Sequence, residues 1–230
     1  MRPMDFGRPV GVAHPPFIIA ALDCRELGTL DRALAAVDVA AKSSVDAIKL
    51  SGMPLQWGAR LIQRAEAGNI TLLTTALDEA MLQRLDWLGA QAFYLAFDWS
   101  DLELIAAAAR TGKPVVMQVG TASAEELAEV VATVHANGNG GIALVQSVID
   151  VELEGLEALR CHGSILGVAD RSAGAAIPLA AISAGASIVE KRFTLRTDNS
   201  LLCAIEVSAV VRDCEAAWAS MGADRYWTTN

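Results

Sequence analysis

The chain has 230 residues, 53% of them hydrophobic, and a formal net charge of −9 at pH 7. The apolar content argues against disorder, and the negative charge disfavours nucleic acid or an anionic membrane as a partner. No apolar run is long enough to span a bilayer and no secretory leader is expected, so neither membrane nor secreted classes fit.

Short apolar runs alternate with longer amphipathic stretches along the chain. We predict strands at 17–22, 47–50, 70–75, 92–96, 114–119, 142–146, 165–169 and 187–193. We predict helices at 30–42, 54–66, 78–88, 102–110, 124–136, 153–160, 175–184 and 206–221. Strand–helix alternation implies parallel strands joined by crossover helices. Eight such units in this length predict a single α/β domain, a TIM (β/α)8 barrel, over residues 10–222.

The residues around the predicted helices support this order. Gly89, Gly112 and Gly185 follow helices where a left-handed C-cap is favoured. Ser123 and Glu126 have the spacing of a capping box. A doubly wound open sheet is the alternative fold, but no G-x-G-x-x-G follows the first strand. The barrel is therefore favoured.

The two ends of the chain and the cysteines indicate the bounds of the domain and the cellular compartment. Residues 1–9 contain Pro, Gly and Arg and predict a loose, flexible arm, and residues 223–230 form a short tail. Four cysteines are widely spaced without a C-x-x-C pair. Such spacing is typical of reduced thiols, so we expect a cytoplasmic protein without a disulfide frame or zinc site.

The active site of a TIM barrel lies at the carboxyl ends of its strands. Candidate catalytic residues there are Lys49, Asp23 and Asp170, and candidate ligand-binding residues are Lys49, Thr75, Gln118, Gln146, Arg171 and Lys191. For most of them a solvated polar rim is the simpler interpretation. The three histidines, His14, His135 and His162, all fall away from these strand ends, so neither a histidine-bound metal nor a histidine base is expected. A carboxylate-only metal site, from Asp23, Asp98 and Asp170, stays open.

Lys49 is the sharpest single candidate. It stands in the apolar strand D-A-I-K-L-S, where a lysine is costly to bury without a partner. It is either an anion ligand, or a Schiff-base amine if its pKa is lowered, or a structural lysine paired with a barrel carboxylate such as Glu190. The sequence leaves these interpretations open.

Several fragments, in order and at compatible spacing, resemble the N-acetylneuraminate (sialic acid) synthase family. They are D-A-I-K-L-S (46–51), T-T-A-L-D (74–78), R-T-G-K-P-V-V (110–116), G-T-A-S-A-E-E-L (120–127) and V-E-K-R-F-T (189–194). The resemblance covers nearly the whole predicted barrel. It implies a TIM barrel that condenses phosphoenolpyruvate with an amino sugar, using Mn²⁺ or Mg²⁺, to make a nine-carbon α-keto acid.

The departures from this family concentrate where the resemblance implies chemistry. Ala21 replaces a glutamate, Tyr94 a phosphate lysine, and Gln146 and Arg171 the two metal histidines, while Lys49 and Thr75 of the phosphate set remain. We therefore expect no metal cofactor. We also expect the barrel alone, without the family's small antifreeze-like carboxy-terminal domain.

Two functions follow from the resemblance and its departures. The first is a catalytically impaired family member in nonulosonate or surface-glycan biosynthesis. It acts by binding a small anionic or sugar-acid ligand, or by assembly as a homodimer or beside an active synthase. The alternative is a divergent enzyme that forms carbon–carbon bonds with phosphoenolpyruvate or keto acids, with Lys49 as an imine-forming amine. A metal-dependent synthase with rearranged ligands is a third reading.

Overall fold

The computed structural model describes residues 3–97, 101–120, 122–138, 140–148, 154–160, 162, 164–195 and 200–222. Two short strands come first in the chain, β1 (Met4–Asp5) and β2 (Pro9–Val10). Eight further strands are β3 (Phe17–Asp23), β4 (Ala47–Ser51), β5 (Thr71–Leu73), β6 (Phe93–Ala96), β7 (Val115–Val119), β8 (Ile142–Val148), β9 (Ile165–Asp170) and β10 (Ile188–Arg192). These eight run parallel in one sheet, in the order β5-β4-β3-β10-β9-β8-β7-β6. A parallel bridge between Thr75 and Tyr94 joins the two edges. The predicted TIM barrel is thus confirmed.

Helices connect the strands and surround the sheet. They are α1 (Cys24–Leu27), α2 (Leu30–Lys42), α3 (Gly58–Ala67), α4 (Glu79–Trp87), α5 (Leu102–Arg110), α6 (Ala124–Asn137), α7 (Glu154–Arg160), α8 (Ala176–Ser183) and α9 (Ser200–Ser220). The capping box of Ser123 and Glu126 is present at the start of α6. In the described part of the chain, no helix is both long and apolar enough to cross a membrane.

The short helix α1 and the early start of α9 were not predicted. Helix α1 forms because the Asp23 side chain accepts a hydrogen bond from the Arg25 amide, and Gly28, at φ 74°, ends it. A four-residue helix leaves no periodic pattern in the sequence, so its capping residues are its only signal.

Side chains along each strand alternate between the barrel lumen and the shell of helices, because a strand has a period of two residues. Phe17, Ile19, Val116, Val145 and Ile188 pack together in the lumen. Their sequence neighbours pack against the helices, among them Ile18, Met117, Leu144 and Val189. The strands are therefore apolar on both faces, as in other all-parallel sheets.

A hairpin closes the amino-terminal end of the barrel. Strands β1 (Met4–Asp5) and β2 (Pro9–Val10) pair antiparallel, and Met4, Phe6 and Val10 are buried with the lumen residues. Arg8 fastens the hairpin by donating to Asp46 Oδ2 at 2.7 Å. The composition of residues 1–9 predicted a loose arm. Residues 3–9 are instead held in the hairpin, because their apolar side chains cover the lower end of the lumen. The tail, 223–230, lies outside the described residues.

Candidate functional site

A group of polar side chains fills the carboxyl half of the lumen, above the apolar residues. It consists of Lys49 of β4, Tyr94 of β6, Gln118 of β7, Ser147 of β8 and Glu190 of β10, and we call it the lumen cluster. Each member occupies an inward-facing position of its strand. For example, Glu190 is in register with Ile19 and Ala169, which both pack in the lumen.

The centre of the lumen cluster is an ion pair between Lys49 and Glu190. Lys49 Nζ lies 3.0 and 3.1 Å from the two carboxylate oxygens, and the two side chains are 5% and 10% exposed. The same ammonium lies 3.6 Å from the centre of the Tyr94 ring, a cation–π contact. Of the interpretations left open by the sequence, pairing with Glu190 is thus the one found in the structure.

Tyr94 and Gln118 extend the network across the lumen. The Tyr94 hydroxyl donates to Glu190 Oε2 at 2.7 Å. Gln118 Oε1 lies 3.4 Å from that hydroxyl and 3.5 Å from Lys49 Nζ, and Gln118 Nε2 donates to Ser147 Oγ at 2.5 Å. Each buried group therefore has a partner, and such networks are rigid when fully satisfied.

The surroundings shift the acidity of two members of the lumen cluster. Burial lowers the pKa of Lys49, the Glu190 carboxylate opposes this shift, and the positive charge of Arg171 adds to it. Burial raises the pKa of Tyr94 well above its usual value, and Glu190 raises it further. Tyr94 therefore stays a protonated phenol and a hydrogen-bond donor at neutral pH.

Two arginines lie at the mouth, where β9 and β10 end. Arg192 forms an ion pair with Glu26 of α1. Arg171 directly follows β9 and is exposed, and among the described residues no carboxylate lies within 4.0 Å of its guanidinium. Its charge nonetheless acts on Lys49 and Tyr94. Arg171 thus places a positive charge without a described counter-ion above the lumen cluster.

Asp170 and Lys191 face away from the lumen. They are neighbours in register, and Lys191 is also in register with Ala20, which packs against the helices. Lys191 Nζ forms a buried ion pair with Asp170 and donates to the Ser172 carbonyl. Predicted to be catalytic and ligand-binding respectively, these two residues instead fasten the ends of β9 and β10.

The other predicted site residues also lie partly inside and partly outside the lumen cluster. Gln146 faces the shell: a β-carbon on Gly155 of α7 would lie 2.8 Å from its Oε1. Asp23 caps α1 and pairs with Arg25 at 2.7 Å, and hydrogen bonding to Arg25 lowers the pKa of Asp23. Thr75 is half-buried beside the strand of Tyr94. Of the predicted set, Lys49 and Gln118 lie in the lumen cluster, with Arg171 above them.

Three members of the lumen cluster were not among the predicted site residues. Glu190 was considered only as a partner of Lys49, and Tyr94 only as a replacement of a family lysine. Ser147 directly follows the candidate Gln146 but was not proposed. Once the structure shows which apolar residues face the lumen, counting in steps of two along each strand identifies all three.

The residues at the positions implied for a metal do not fit a divalent cation. Gln146 faces helix α7, and Arg171 carries a positive charge that repels a metal ion. Within the described ranges, no three His, Cys, Asp or Glu side chains come together as a metal-binding group. Asp98, the remaining aspartate of the carboxylate-only hypothesis, lies outside those ranges.

A cavity of about 470 Å³ opens at the opposite end of the barrel. Its lining includes Arg8 of the hairpin, Asp46, Thr71 and Gln91. These residues lie at the amino-terminal ends of the strands, the face that in TIM barrels serves stability while chemistry occupies the other face. The candidate site therefore remains the lumen cluster and its mouth.

Comparison with known proteins relates the chain to carbohydrate biosynthesis. Residues 31–224 match the model of the NeuB family. Pseudaminic acid synthase of Helicobacter pylori is 30% identical over 151 residues, which are 62% of this chain and 44% of that protein. The spore coat polysaccharide biosynthesis protein SpsE of Bacillus subtilis is 25% identical over 229 residues, 81% of this chain and 61% of that protein. The chain spans about half the length of these two relatives.

Solved structures share the barrel. The N-acetylneuraminic acid synthetase of Leptospira borgpetersenii, in complex with citrate, has a TM-score of 0.83 at 24% identity, covering 96% of this chain and 90% of that one. The SpsE structure of Bacillus subtilis has a TM-score of 0.84, also at 24% identity, covering 97% and 74%. At these identities the likeness establishes the fold.

Proposed function

Because the chain belongs to the NeuB family, we propose that it serves nonulosonate or surface-glycan biosynthesis by binding a small sugar acid or keto acid without a metal. The lumen cluster is the observation that carries this proposal. Lys49, which the resemblance assigns to phosphate binding, is already compensated by Glu190 at 3.0 Å. Tyr94, at the position of a second phosphate lysine, is fully buried and occupies the lumen.

Electrostatics favour an anion at the mouth. The whole chain carries a net charge of −9, yet Arg171 is exposed without a described carboxylate partner. A local positive charge attracts and orients small anions even on an acidic protein. A guanidinium also matches the two oxygens of a carboxylate. The carboxylate of a sugar acid or keto acid is therefore the group that Arg171 binds.

The metal-dependent condensation does not suit this set of residues. That reaction needs a metal cation and positioned charges to stabilise its transition state. The residues at the implied metal positions do not fit a divalent cation. The chain therefore acts by binding or assembly, as a homodimer or beside an active synthase that performs the condensation.

Calorimetric titration with N-acetylneuraminate tests the proposal. We expect saturable binding, and Arg171→Gln should weaken it about tenfold, as for the loss of one charge-assisted hydrogen bond. Arg110→Gln is the matched control, because Arg110 is an exposed arginine in the last turn of α5, and should bind like the wild type. Absence of binding, or equal weakening by both variants, would contradict the proposal.

A further inference from the structure

We propose that Lys49 forms an imine with the carbonyl carbon of a 2-oxo acid whose carboxylate is bound by Arg171. The barrel would then capture its ligand covalently and reversibly without a metal. This inference rests on the proposed function, because it assigns a chemical class to the ligand of the same site.

Lys49 is the lysine that the fold directs to the lumen. All four lysines of the chain, Lys42, Lys49, Lys113 and Lys191, lie in the described ranges. Lys42 is exposed in the last turn of α2, Lys113 pairs with Asp86 outside the lumen, and Lys191 pairs with Asp170 in the shell. Of the four lysines, Lys49 is therefore the one whose amine a carbonyl compound in the lumen would meet.

Glu190 and Tyr94 supply the proton transfers that imine formation needs. An amine must lose its proton before it attacks a carbonyl. Glu190, 3.0 and 3.1 Å from Lys49 Nζ, is placed to accept that proton. Burial lowers the pKa of Lys49, Glu190 opposes this shift and Arg171 adds to it, and the net lowering favours the neutral amine. The Tyr94 hydroxyl, 2.7 Å from Glu190, is placed to hand a proton to the carbonyl oxygen.

The atoms balance without any co-reactant. The Lys49 ammonium transfers a proton to Glu190, and the neutral amine adds to the carbonyl carbon. The carbonyl oxygen takes a proton through Tyr94, which gives a carbinolamine. Glu190 then takes a proton from the carbinolamine nitrogen and passes it to the hydroxyl group, which leaves as water. The net result is a protonated imine and one water from one ammonium and one ketone.

Arg171 selects an acid over a neutral carbonyl compound. In a 2-oxo acid the carboxylate and the carbonyl occupy adjacent carbons, so the two groups need a cation and an amine near one another. Arg171 is exposed at the mouth, two residues beyond Ala169, which packs in the lumen in register with Glu190, the partner of Lys49. A ketone without a carboxylate gains nothing from Arg171, which gives the experiment its internal control.

The test is reductive trapping of the full chain. The protein is incubated with pyruvate, reduced with borohydride, and digested for mass mapping of the modified lysine. We expect the reduced adduct on Lys49 in the wild type and its loss in Lys49→Arg. The matched control is Lys191→Arg, which removes the other buried paired lysine and should keep the Lys49 adduct. Arg171→Gln should slow trapping of dilute pyruvate about tenfold, and should leave trapping of acetone unchanged.

The wild-type mapping decides the outcome even if a variant fails to fold. No adduct on Lys49, or labelling of Lys42 and Lys113 to the same extent as Lys49, overturns the inference. If N-acetylneuraminate still binds in calorimetry while no Lys49 adduct forms, the imine is wrong and the proposed function stands. If that binding is absent as well, both are wrong.

Discussion

Lys49 of β4 donates to both carboxylate oxygens of Glu190 of β10, at 3.0 and 3.1 Å, across the lumen. Strand β3 lies between these two strands in the sheet, so the ion pair ties together strands that share no backbone hydrogen bonds. Any ligand that uses Lys49 must compete with Glu190. Arg171, by contrast, remains available above the pair.

Removing one partner of the Lys49–Glu190 pair should destabilise the fold strongly. We expect Glu190→Gln to lower the free energy of unfolding by about 3–5 kcal/mol, because it leaves the Lys49 charge buried without a counter-ion. The double variant Lys49→Met, Glu190→Leu should recover most of this loss, since neither charge of this pair is then buried. Urea denaturation of the single and double variants measures both values. A double variant as unstable as the single one would contradict this account of the pair.

Asp170 should matter for stability and not for ligand chemistry. Because it is fully buried and paired with Lys191, Asp170→Asn should also cost about 3–5 kcal/mol of unfolding free energy. At saturating pyruvate the folded variant should still be trapped on Lys49. Loss of trapping in a variant with native circular dichroism would return Asp170 to the catalytic group.

Asp23 should behave as a helix cap. Asp23→Ala removes the side-chain acceptor of the Arg25 amide and should destabilise the fold by about 1 kcal/mol, whereas Asp23→Asn keeps a capping oxygen and should cost less. The lowered pKa of Asp23 adds a pH dependence. The stability that the ionised Asp23 carboxylate contributes is complete at pH values above 3.8, the usual pKa of an aspartate. This stability is lost as the pH falls through the lowered pKa of Asp23 in the folded protein. Thermal unfolding of the wild type and both variants from pH 7 to pH 3 checks this sign, because the advantage of the wild type over each variant should shrink as the pH falls.

The two described buried cysteines should resist alkylation. Burial raises the pKa of Cys24 to about 11 and that of Cys214 to about 12. At pH 8 both are thus protonated, and the thiolate is the reactive form. Iodoacetamide should label them only after unfolding in guanidinium, as followed by peptide mass mapping. Rapid labelling of Cys24 in the native protein would show that α1 opens readily.

The sequence was sufficient for the barrel but not for the direction of every side chain. Strand–helix alternation and helix-ending glycines such as Gly89 were sufficient to predict all eight strands. Lys49 could be identified as a site candidate because it is a cation in an apolar strand. The strands of a parallel barrel are buried on both faces, so their continuous apolar runs carry no mark of phase. Asp170, Lys191 and Gln146 were therefore assigned to the site although they face the shell.

The hairpin escaped prediction for a related reason. Residues 3–10 include Pro, Gly and Arg, which favour a loose segment, and the burial of their apolar side chains depends on the open lower end of a barrel that the local sequence does not show. Met4, Phe6 and Val10 pack there against residues distant in the sequence, such as Phe17 and Ile188. Only the closed fold supplies these contacts.

The central claim is that this barrel binds its ligand without a metal. Titration of N-acetylneuraminate by calorimetry, with and without Mn²⁺, tests it most directly. The account predicts saturable binding with the same affinity in both titrations, weakened by Arg171→Gln in each. Binding that requires Mn²⁺, or that tightens about tenfold or more when Mn²⁺ is added, equivalent to about 1.4 kcal/mol, would contradict it.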